Sequence, residues 1–376
     1  MSLLLEHKKM KLNKVIISGG GTGGHIFPAL AIADQIKERN PEAEILFVGA
    51  EGKMEMEKVP QAGYEIVGLP IVGLQRKLTL KNLMLPLKLV HSSIKAFRIL
   101  RRFKPQLVIG VGGYASGPTL QIAQILGIPT LLQEQNSFAG KTNQLLAKKA
   151  KAICVAYPNM HKFFPADKIY LTGNPLRANL HLAAPDLKLE AASFFGLDIN
   201  KPTLFVMGGS LGAKTLNVAL RAAIASLTSA DVQVIWQCGK SYEQELSTFE
   251  QQLPSSIKVF PFIQRMDYAY TLADVVVSRA GALSVSELAL IGKPVIFVPS
   301  PNVAEDHQTQ NALSLVERGA ALMVRDAAAQ KELLPTVLAL FKDQQRREEL
   351  TLALRQLALP NASQAIVDIC QKITQP

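Results

Sequence analysis

VIISGGGTGGHIFPALAIA, residues 15–33, joins a short apolar run to a helix-like segment through five glycines and a histidine. Glycine has no Cβ, so a glycine-rich turn adopts positive φ and lets a ligand approach the backbone. A strand, such a turn and a helix together direct N–H groups at one point, which suits an anion. The stretch lacks the Gly-Lys-Ser/Thr ending of a Walker loop. Its Gly-x-Gly-x-x-Gly-like spacing is, alone, a weak signal of dinucleotide binding. We expect one wall of a ligand cleft here, with simple strand–helix packing as the alternative.

Strand-like and helix-like segments alternate along most of the chain. The apolar runs begin at residues 14, 44, 105, 129 and 152, and again at 202, 232, 258, 274 and 293. This βαβ alternation predicts parallel sheets with helices on both faces. The second series opens on MGGSLGAKTLN (207–217), which repeats the theme of strand, glycine turn and helix and predicts a second wall.

Two Rossmann-like domains facing a central cleft are therefore expected. We place them at residues 1–175 and 176–355, joined near 175–200. The remaining residues, 356–376, are helical in character and are expected to pack back on the first domain. In doubly wound sheets ligands bind beyond the carboxyl ends of the strands, where both glycine turns fall.

Composition excludes several classes of protein. The 376 residues are 48% hydrophobic and 19% charged, and no apolar run approaches the roughly 20 residues of a membrane-spanning helix. The N-terminus has too short an apolar core for a signal peptide. The three cysteines are far apart and not in metal-ligand spacing, which favours a reducing compartment and argues against a structural zinc site.

The net charge of +11 is concentrated in the first half. Residues 1–176 contain 23 Lys and Arg against 11 Asp and Glu, whereas the rest contains 18 against 19. Leucines and nine basic residues mix within residues 71–104, so we expect this segment to meet an anionic membrane surface. A solvated amphipathic helix is the alternative. Nucleic acid is disfavoured because the segment has almost no aromatic side chains for stacking.

Polar side chains follow several predicted strands. His25 begins a helix directly after the first glycine turn, where a neutral imidazole suits a general base. Ser210 supplies a hydroxyl for a phosphate oxygen. Glu287 is predicted in the first turn of the helix that follows SRAG (278–281), as an acceptor of ribose hydroxyls or as a capping acid.

Two further runs are rich in side chains that suit sugar hydroxyls. QEQNSFAGKTN (133–143) contains Glu134, Gln135 and Asn136, and AEDHQTQNA (304–312) contains Gln308 and Asn311. Any one of them could instead be a solvated loop residue. Taken together, these strand ends predict a cleft for a sugar nucleotide.

Seven blocks in order resemble the MurG family of bacterial glycosyltransferases, and the resemblance covers nearly the whole length. The blocks are GGTGGHIFPALAIA, VGGYASGP, QEQNSFAGKTN, TGNPLR, GGSLGAKTLN, SRAGALSVSELALIGKPVIFVP and DHQTQNA. The resemblance implies the GT-B fold and transfer of N-acetylglucosamine from UDP-N-acetylglucosamine to the 4-hydroxyl of the muramoyl unit of lipid I, with inversion, to form lipid II. It also implies a peripheral enzyme at the cytoplasmic face of the bacterial cell membrane, with cell-wall synthesis proteins as further partners.

The same resemblance implies residue roles. His25 is the implied base, and Asn136 joins it in the catalytic set. The substrate-binding positions implied are Thr22, Gly23, Gly24 and Asn136 for the donor, Arg177 and Ser210 for the nucleotide pocket, Ile263 for uracil, Gln308 for the donor sugar, and Ala282, Leu283, Ser284, Val285, Ser286 and Glu287 for phosphate and ribose. Gln133 stands where family blocks often carry a histidine, which puts a proton relay at that position in doubt.

No cofactor is expected. The charge that develops on the diphosphate is expected to meet backbone N–H groups rather than a protein-bound metal, and no Asp-x-Asp motif is present. Binding of Mg²⁺ through the substrate phosphates is kept as an alternative. The competing hypotheses are a transferase with a soluble acceptor, a UDP-sugar 2-epimerase, a non-catalytic binding protein and an NAD-binding oxidoreductase. The last is disfavoured because no acid lies at a strand end about 20 residues after the first turn.

Overall fold

The computed structural model describes residues 11–71, 85–176, 187–249, 252–303 and 306–375. Its contacts divide the chain into two units, residues 1–177 with 359–376 and residues 178–358. Each unit is an α/β fold built on one parallel sheet, which confirms the predicted fold class.

The sheet of the first unit has seven strands and is fully parallel. The strands are β1 (Lys14–Ser18), β2 (Glu44–Ala50), β3 (Glu65–Leu69), β4 (Leu107–Gly110), β5 (Thr130–Glu134), β6 (Ala152–Val155) and β7 (Ile169–Leu171). The helices are α1 (Gly23–Arg39), α2 (Glu55–Gln61), α3 (Leu85–Phe103), α4 (Ser116–Ile125) and α5 (Lys141–Ala147). The strand order is β3-β2-β1-β4-β5-β6-β7. Strands β4, β5 and β6 are buried along their whole length, because helices cover both faces of a parallel sheet.

The second unit repeats this plan with six strands. Its strands are β8 (Thr203–Met207), β9 (Gln233–Gln237), β10 (Ile257–Phe260), β11 (Val275–Ser278), β12 (Val295–Phe297) and β13 (Leu322–Met323). Its helices are α6 (Leu187–Phe195), α7 (Lys214–Ser229), α8 (Glu243–Phe249), α9 (Met266–Leu272), α10 (Ala282–Ile291), α11 (His307–Val316), α12 (Ala329–Lys342) and α13 (Gln344–Leu357). The strand order is β10-β9-β8-β11-β12-β13.

Strand order reverses at one place in each sheet. In the first unit this place lies between β1 and β4, where Ile17 pairs with Ile109. In the second it lies between β8 and β11, where Val206 pairs with Val277. The loops beyond the carboxyl ends of these four strands are the usual ligand position of doubly wound sheets. They contain both glycine turns.

The last helix, α14 (Ala362–Ile373), belongs to the first unit. It packs on α1, and its Ile366, Val367 and Cys370 join the buried core of that unit. At the surface the Arg39 guanidinium donates to Asp368 at 2.8 Å. None of the described helices is long and apolar enough to cross a bilayer.

Sequence patterns missed three strands and one helix. Strands β3, β7 and β13 all lie at sheet edges and are only partly buried, so their apolar signal is weak. The predicted junction near 175–200 contains α6, whose Phe195 ring lies 5.5 Å from that of Phe260. Residues 177–186 of that junction lie outside the described ranges.

Candidate active site

The first glycine turn uses its N–H groups inside its own unit. Gly19 donates to the Val48 carbonyl at 3.2 Å, and Gly20 donates to the Gly112 carbonyl at 3.2 Å. Gly21 donates to Oε2 of Glu55 at 2.8 Å. The expectation that this turn clasps an anion is therefore wrong for these three residues, because their N–H groups already have protein acceptors and one acceptor is a carboxylate. Beyond the turn, Thr22 precedes α1 and Gly23 and Gly24 begin it; Thr22 and Gly24 are exposed.

His25 is held by the turn it follows. Its Nδ1 lies 3.0 Å from the Gly20 carbonyl oxygen and 3.3 Å from the Thr22 hydroxyl. A carbonyl oxygen only accepts hydrogen bonds, so Nδ1 carries the hydrogen and Nε2 carries the lone pair of the neutral ring. A Cβ at Gly112 would lie 3.0 Å from Cδ2 and Nε2, so the ring packs closely against this glycine.

Asn136 is positioned by a buried carboxylate at the end of β5. Glu134 is 2% exposed and accepts from the Asn136 N–H at 3.1 Å and from the Asn143 amide at 2.9 Å. Gln135 is also buried, and its amide donates to the Val111 carbonyl at 2.8 Å. Glu134 and Gln135 are thus neither sugar ligands nor solvated loop residues, contrary to both expectations, and their hydrogen bonds fix the loop that carries Asn136.

Gln133 belongs to the same buried network. Its amide donates to Oδ1 of Asn174 at 3.1 Å, and Asn174 in turn donates to the Gln135 carbonyl at 3.0 Å. Amide groups do not titrate in water, so this network holds the end of β5 in place and does not relay protons.

The second glycine turn is exposed to solvent, whereas the N–H groups of the first turn are bonded within the protein. Gly209, Ser210 and Leu211 are all exposed, whereas the Gly208 N–H donates to the Gln237 carbonyl at 3.2 Å. Ser210 therefore lies at the surface beyond β8, as a phosphate-binding hydroxyl requires. Nearby, the buried Ile263 donates its N–H to Oε1 of Gln237 at 3.0 Å. The backbone group that Ile263 would offer to a base is therefore its carbonyl oxygen.

Helix α10 carries the six-residue run Ala282–Glu287. Gly281 precedes its first residue and accepts the Val285 N–H at 2.9 Å. Val285 itself is buried, so it anchors the helix while Leu283, Ser284 and Ser286 are partly exposed. Because α10 begins at Ala282, Glu287 lies in its second turn, and both the first-turn placement and the capping interpretation are wrong.

Glu287 receives a hydrogen bond from within its unit. The Tyr270 hydroxyl lies 3.5 Å from Oε2 of Glu287. Burial, with the Glu287 charge beside it, raises the pKa of the Tyr270 phenol well above its ordinary value. The phenol therefore stays protonated and donates, which orients the carboxylate.

The described part of this run, residues 306–312, contains exposed, half-buried and buried positions. Gln308, on α11, accepts the Ser300 N–H at its Oε1 at 2.9 Å, which leaves its NH₂ group as the donor end. Asn311 is fully buried and donates to the Ala280 carbonyl at 3.2 Å, so its expected role toward sugar hydroxyls is wrong. Arg177 lies outside the described residues.

Three residues that support the site carry no functional signal in the sequence: Glu55, Gln237 and Tyr270. All three are buried and bond residues of the predicted site. In sequence they resemble an ordinary acid at a helix start, a strand residue and a core aromatic, so their role shows only in the fold. Within the described ranges, no three His, Cys, Asp or Glu side chains come together as a metal site.

Two family models match the chain. The Glycosyltransferase family 28 N-terminal domain matches residues 15–155, and the Glycosyltransferase family 28 C-terminal domain matches residues 203–366. This chain belongs to glycosyltransferase family 28. The matched ranges contain β2 to β6 and β8 to β13, nearly all of β1, and the site residues described above apart from Asn174 and Arg177.

Curated relatives are similar to this chain over nearly their whole length. Proteins of Flavobacterium psychrophilum and Cytophaga hutchinsonii are 52% and 54% identical to this chain. The matches cover 97% and 96% of this chain and 99% and 96% of the relatives. Both relatives are named UDP-N-acetylglucosamine--N-acetylmuramyl-(pentapeptide) pyrophosphoryl-undecaprenol N-acetylglucosamine transferase.

Solved structures agree with this assignment. The crystal structure of Acinetobacter baumannii MurG is 33% identical, with a TM-score of 0.77 and coverage of 96% of this chain and 99% of that chain. A UDP-GlcNAc 2-epimerase of Neisseria meningitidis has a TM-score of 0.67 at 13% identity over 96% of this chain and 100% of that chain, which shows a shared fold alone.

Proposed function

We propose that this family 28 enzyme transfers N-acetylglucosamine from UDP-N-acetylglucosamine to the muramoyl unit of lipid I and so forms lipid II in peptidoglycan synthesis. The observation that carries this conclusion is the identity of 52–54% to curated transferases of that name across nearly the whole of both chains. Fold similarity to epimerases at 13% identity does not favour the isomerase alternative.

The second unit is proposed to bind the donor. The exposed Ser210 suits a phosphate oxygen, and the N-terminus of α10 adds the positive end of a helix dipole. Glu287, oriented by Tyr270, would accept the ribose hydroxyls. The Ile263 carbonyl is proposed to face uracil, and the NH₂ of Gln308 the donor sugar. Arg177 is assigned to the nucleotide pocket from the family resemblance.

The first unit is proposed to supply the base. The acceptor hydroxyl attacks the anomeric carbon, its proton passes to Nε2 of His25, and the bond from that carbon to the UDP oxygen breaks. Nε2 is suited to this step because Nδ1 already donates to Gly20. Thr22, Gly23, Gly24 and Asn136 would contact the substrates beside the base. No protein-bound metal is assigned, and any Mg²⁺ is proposed to bind through the substrate phosphates.

Membrane contact is assigned to α3. Leu87, Val90, Ile94 and Phe97 recur at spacings of three and four residues and are each 44% to 69% exposed. The opposite face of the helix is buried at Ser92, Ala96 and Leu100. An exposed apolar stripe beside the exposed Arg98, Arg101 and Arg102 suits an anionic lipid surface.

We therefore propose a peripheral enzyme at the cytoplasmic face of the cell membrane, where it meets the lipid-linked acceptor and other cell-wall synthesis proteins. Residues 72–84 of the predicted membrane segment lie outside the described ranges.

A transfer assay tests the function. Labelled sugar is followed from UDP-N-acetylglucosamine onto a short-chain lipid I analogue, with UDP-glucose and UDP-N-acetylgalactosamine as control donors. We expect transfer from UDP-N-acetylglucosamine alone. Conversion of that donor to its 2-epimer in the absence of acceptor would instead support the isomerase.

A further inference from the structure

Glu55 is a buried carboxylate next to the turn that holds His25. It is the first residue of α2 and is 1% exposed. Oε1 accepts the Ala50 N–H at 3.0 Å, and Oε2 accepts the Gly21 N–H at 2.8 Å. One side chain thus ties the end of β2 to the glycine turn after β1.

The surrounding backbone is shaped around this carboxylate. A Cβ at Gly20 would lie 2.3 Å from the Glu55 carboxyl carbon, and a Cβ at Gly49 would lie 2.6 Å from its Cγ. Both positions therefore need glycine for Glu55 to occupy its site. Gly21 has a φ of +89°, which also favours glycine.

No basic side chain of the described residues forms an ion pair with Glu55. Burying a charge without a cation is costly, and an apolar side chain would fill the same space at lower cost. Charge-assisted bonds to two backbone N–H groups offset part of this cost and fix the turn in one geometry. A carboxylate at this costly position therefore indicates that the enzyme needs the glycine turn held in that one geometry.

The fixed turn leads directly to His25. Gly20 is held by its N–H bond to the Gly112 carbonyl and by contact with Glu55, and its own carbonyl accepts from Nδ1 of His25. We propose that Glu55 is a positioning residue that sets the Gly20–Gly21 turn so that His25 keeps its hydrogen on Nδ1 and accepts a proton at Nε2. The proposal rests on the proposed function, in which His25 is the base.

Glu55→Gln tests the proposal, with Glu57→Gln as the matched control on the exposed face of the same helix. The glutamine amide has only one acceptor oxygen. In either orientation its NH₂ group faces the N–H of Ala50 or of Gly21, so one of the two hydrogen bonds is lost. We expect kcat to fall on the order of 10-fold to 100-fold. KM for UDP-N-acetylglucosamine should change by less than about twofold. Glu57→Gln should retain wild-type values.

The pH profile separates positioning from a general loss of structure. Removing a negative charge near an imidazole destabilises its protonated form, so the acidic limb of the kcat/KM profile should move to lower pH in Glu55→Gln. If the substitution only lowered the fraction of folded enzyme, kcat/KM would fall at every pH and the acidic limb would not move.

Histidine ¹⁵N NMR gives a readout in the wild-type protein. The resonance assigned to His25 by its loss in His25→Gln should show the neutral Nδ1–H form. A wild-type Nε2–H form would overturn the proposal. If Glu55→Gln does not fold, Glu55→Asp replaces it, because aspartate keeps the charge but is too short to reach both N–H groups. Wild-type turnover with an unmoved acidic limb in Glu55→Gln would also overturn it, and so would wild-type turnover in Glu55→Asp, where the retained charge predicts no movement of the limb.

The variants also distinguish a failure of the proposed function from a failure of the positioning role of Glu55. A wild-type enzyme without transfer activity contradicts the proposed function, and an active His25→Gln contradicts the base assignment. If His25→Gln loses turnover while Glu55→Gln matches Glu57→Gln, the positioning role of Glu55 alone is wrong.

Discussion

Nδ1 of His25 lies 3.0 Å from the carbonyl oxygen of Gly20, within the glycine turn that ends β1. This bond assigns the hydrogen of the neutral ring to Nδ1, so the ring accepts a proton only at Nε2. The glycine turn of the first unit therefore acts on the histidine that follows it, whereas the turn of the second unit exposes Gly209 and Ser210.

His25→Gln should abolish most turnover without weakening nucleotide binding. Glutamine can still donate to the Gly20 carbonyl but cannot take up a proton. We expect kcat to fall on the order of 10²-fold to 10⁴-fold, the usual contribution of a general base. UDP affinity, measured by calorimetry, should stay within about twofold. His161→Gln, at an exposed position of the same unit, is the control. Wild-type turnover in His25→Gln would remove His25 from the role of base.

Glu287→Gln should weaken donor binding. A hydrogen bond from a ribose hydroxyl to a carboxylate contributes about 1.5–3 kcal/mol, so UDP should bind about 10-fold to 100-fold more weakly. Titration with 2′,3′-dideoxy-UDP checks the cause, because variant and wild type should then bind alike. Glu332→Gln, on the exposed face of α12, should bind UDP as the wild type does. An equal loss for both ligands would show that Glu287 does not contact the ribose.

Replacing Arg98, Arg101 and Arg102 by glutamine should weaken binding to anionic vesicles. Each basic side chain near such a surface contributes about 1 kcal/mol, so the three together are worth on the order of 10²-fold in partition. Co-sedimentation with phosphatidylglycerol vesicles measures this. Replacing the exposed Lys148, Lys149 and Lys151 of the same unit provides a variant of equal charge. If both triple variants bind equally, net charge rather than α3 accounts for the attraction.

Stability should fall at alkaline pH through two buried thiols. Burial raises the pKa of Cys154 and of Cys370 above the ordinary value of 9.0, and the nearby Cys370 thiol adds to the effect at Cys154. The folded state thus favours the neutral thiol. Its stabilising effect is complete below the pKa of the unfolded thiol and is lost as the pH rises above it. The free energy of unfolding should fall by about 1.4 kcal/mol per pH unit for each thiol above about pH 9.

Urea denaturation at about pH 7.5 and about pH 10 checks this linkage. Cys154→Ala with Cys370→Ala should show a smaller alkaline loss than the wild type, whatever its stability at neutral pH. Equal losses in the two proteins would assign the alkaline effect to other groups.

Much of the fold followed from local pattern. Central strands such as β1 and β8 are continuous apolar runs that end in glycine turns, so both sheets and the start of α1 at the first turn were predictable. Edge strands β3, β7 and β13 were missed because partly buried strands carry a weaker apolar signal. Local pattern also misplaced Glu287, because sequence alone did not show that α10 begins at Ala282.

The roles of polar residues were less predictable than their positions. Glu134 and Gln135 lie at the end of β5, and Asn311 lies in the second turn of α11. Their side chains are of the type that often binds sugars, yet each is buried and bonds the backbone or a neighbouring amide. Composition cannot separate a ligand from a buried support, because both need hydrogen-bonding side chains.

The sequence by itself determined two parallel α/β folds, their glycine turns and a histidine at the start of the first helix, because periodicity and turn chemistry are local. Only the tertiary structure decided which N–H groups of those turns form hydrogen bonds within the protein. Gly21 meets Glu55 across 34 residues, and Ile263 meets Gln237 across 26. Such bonds depend on strands brought side by side by burial of the whole sheet, which no short stretch of sequence encodes.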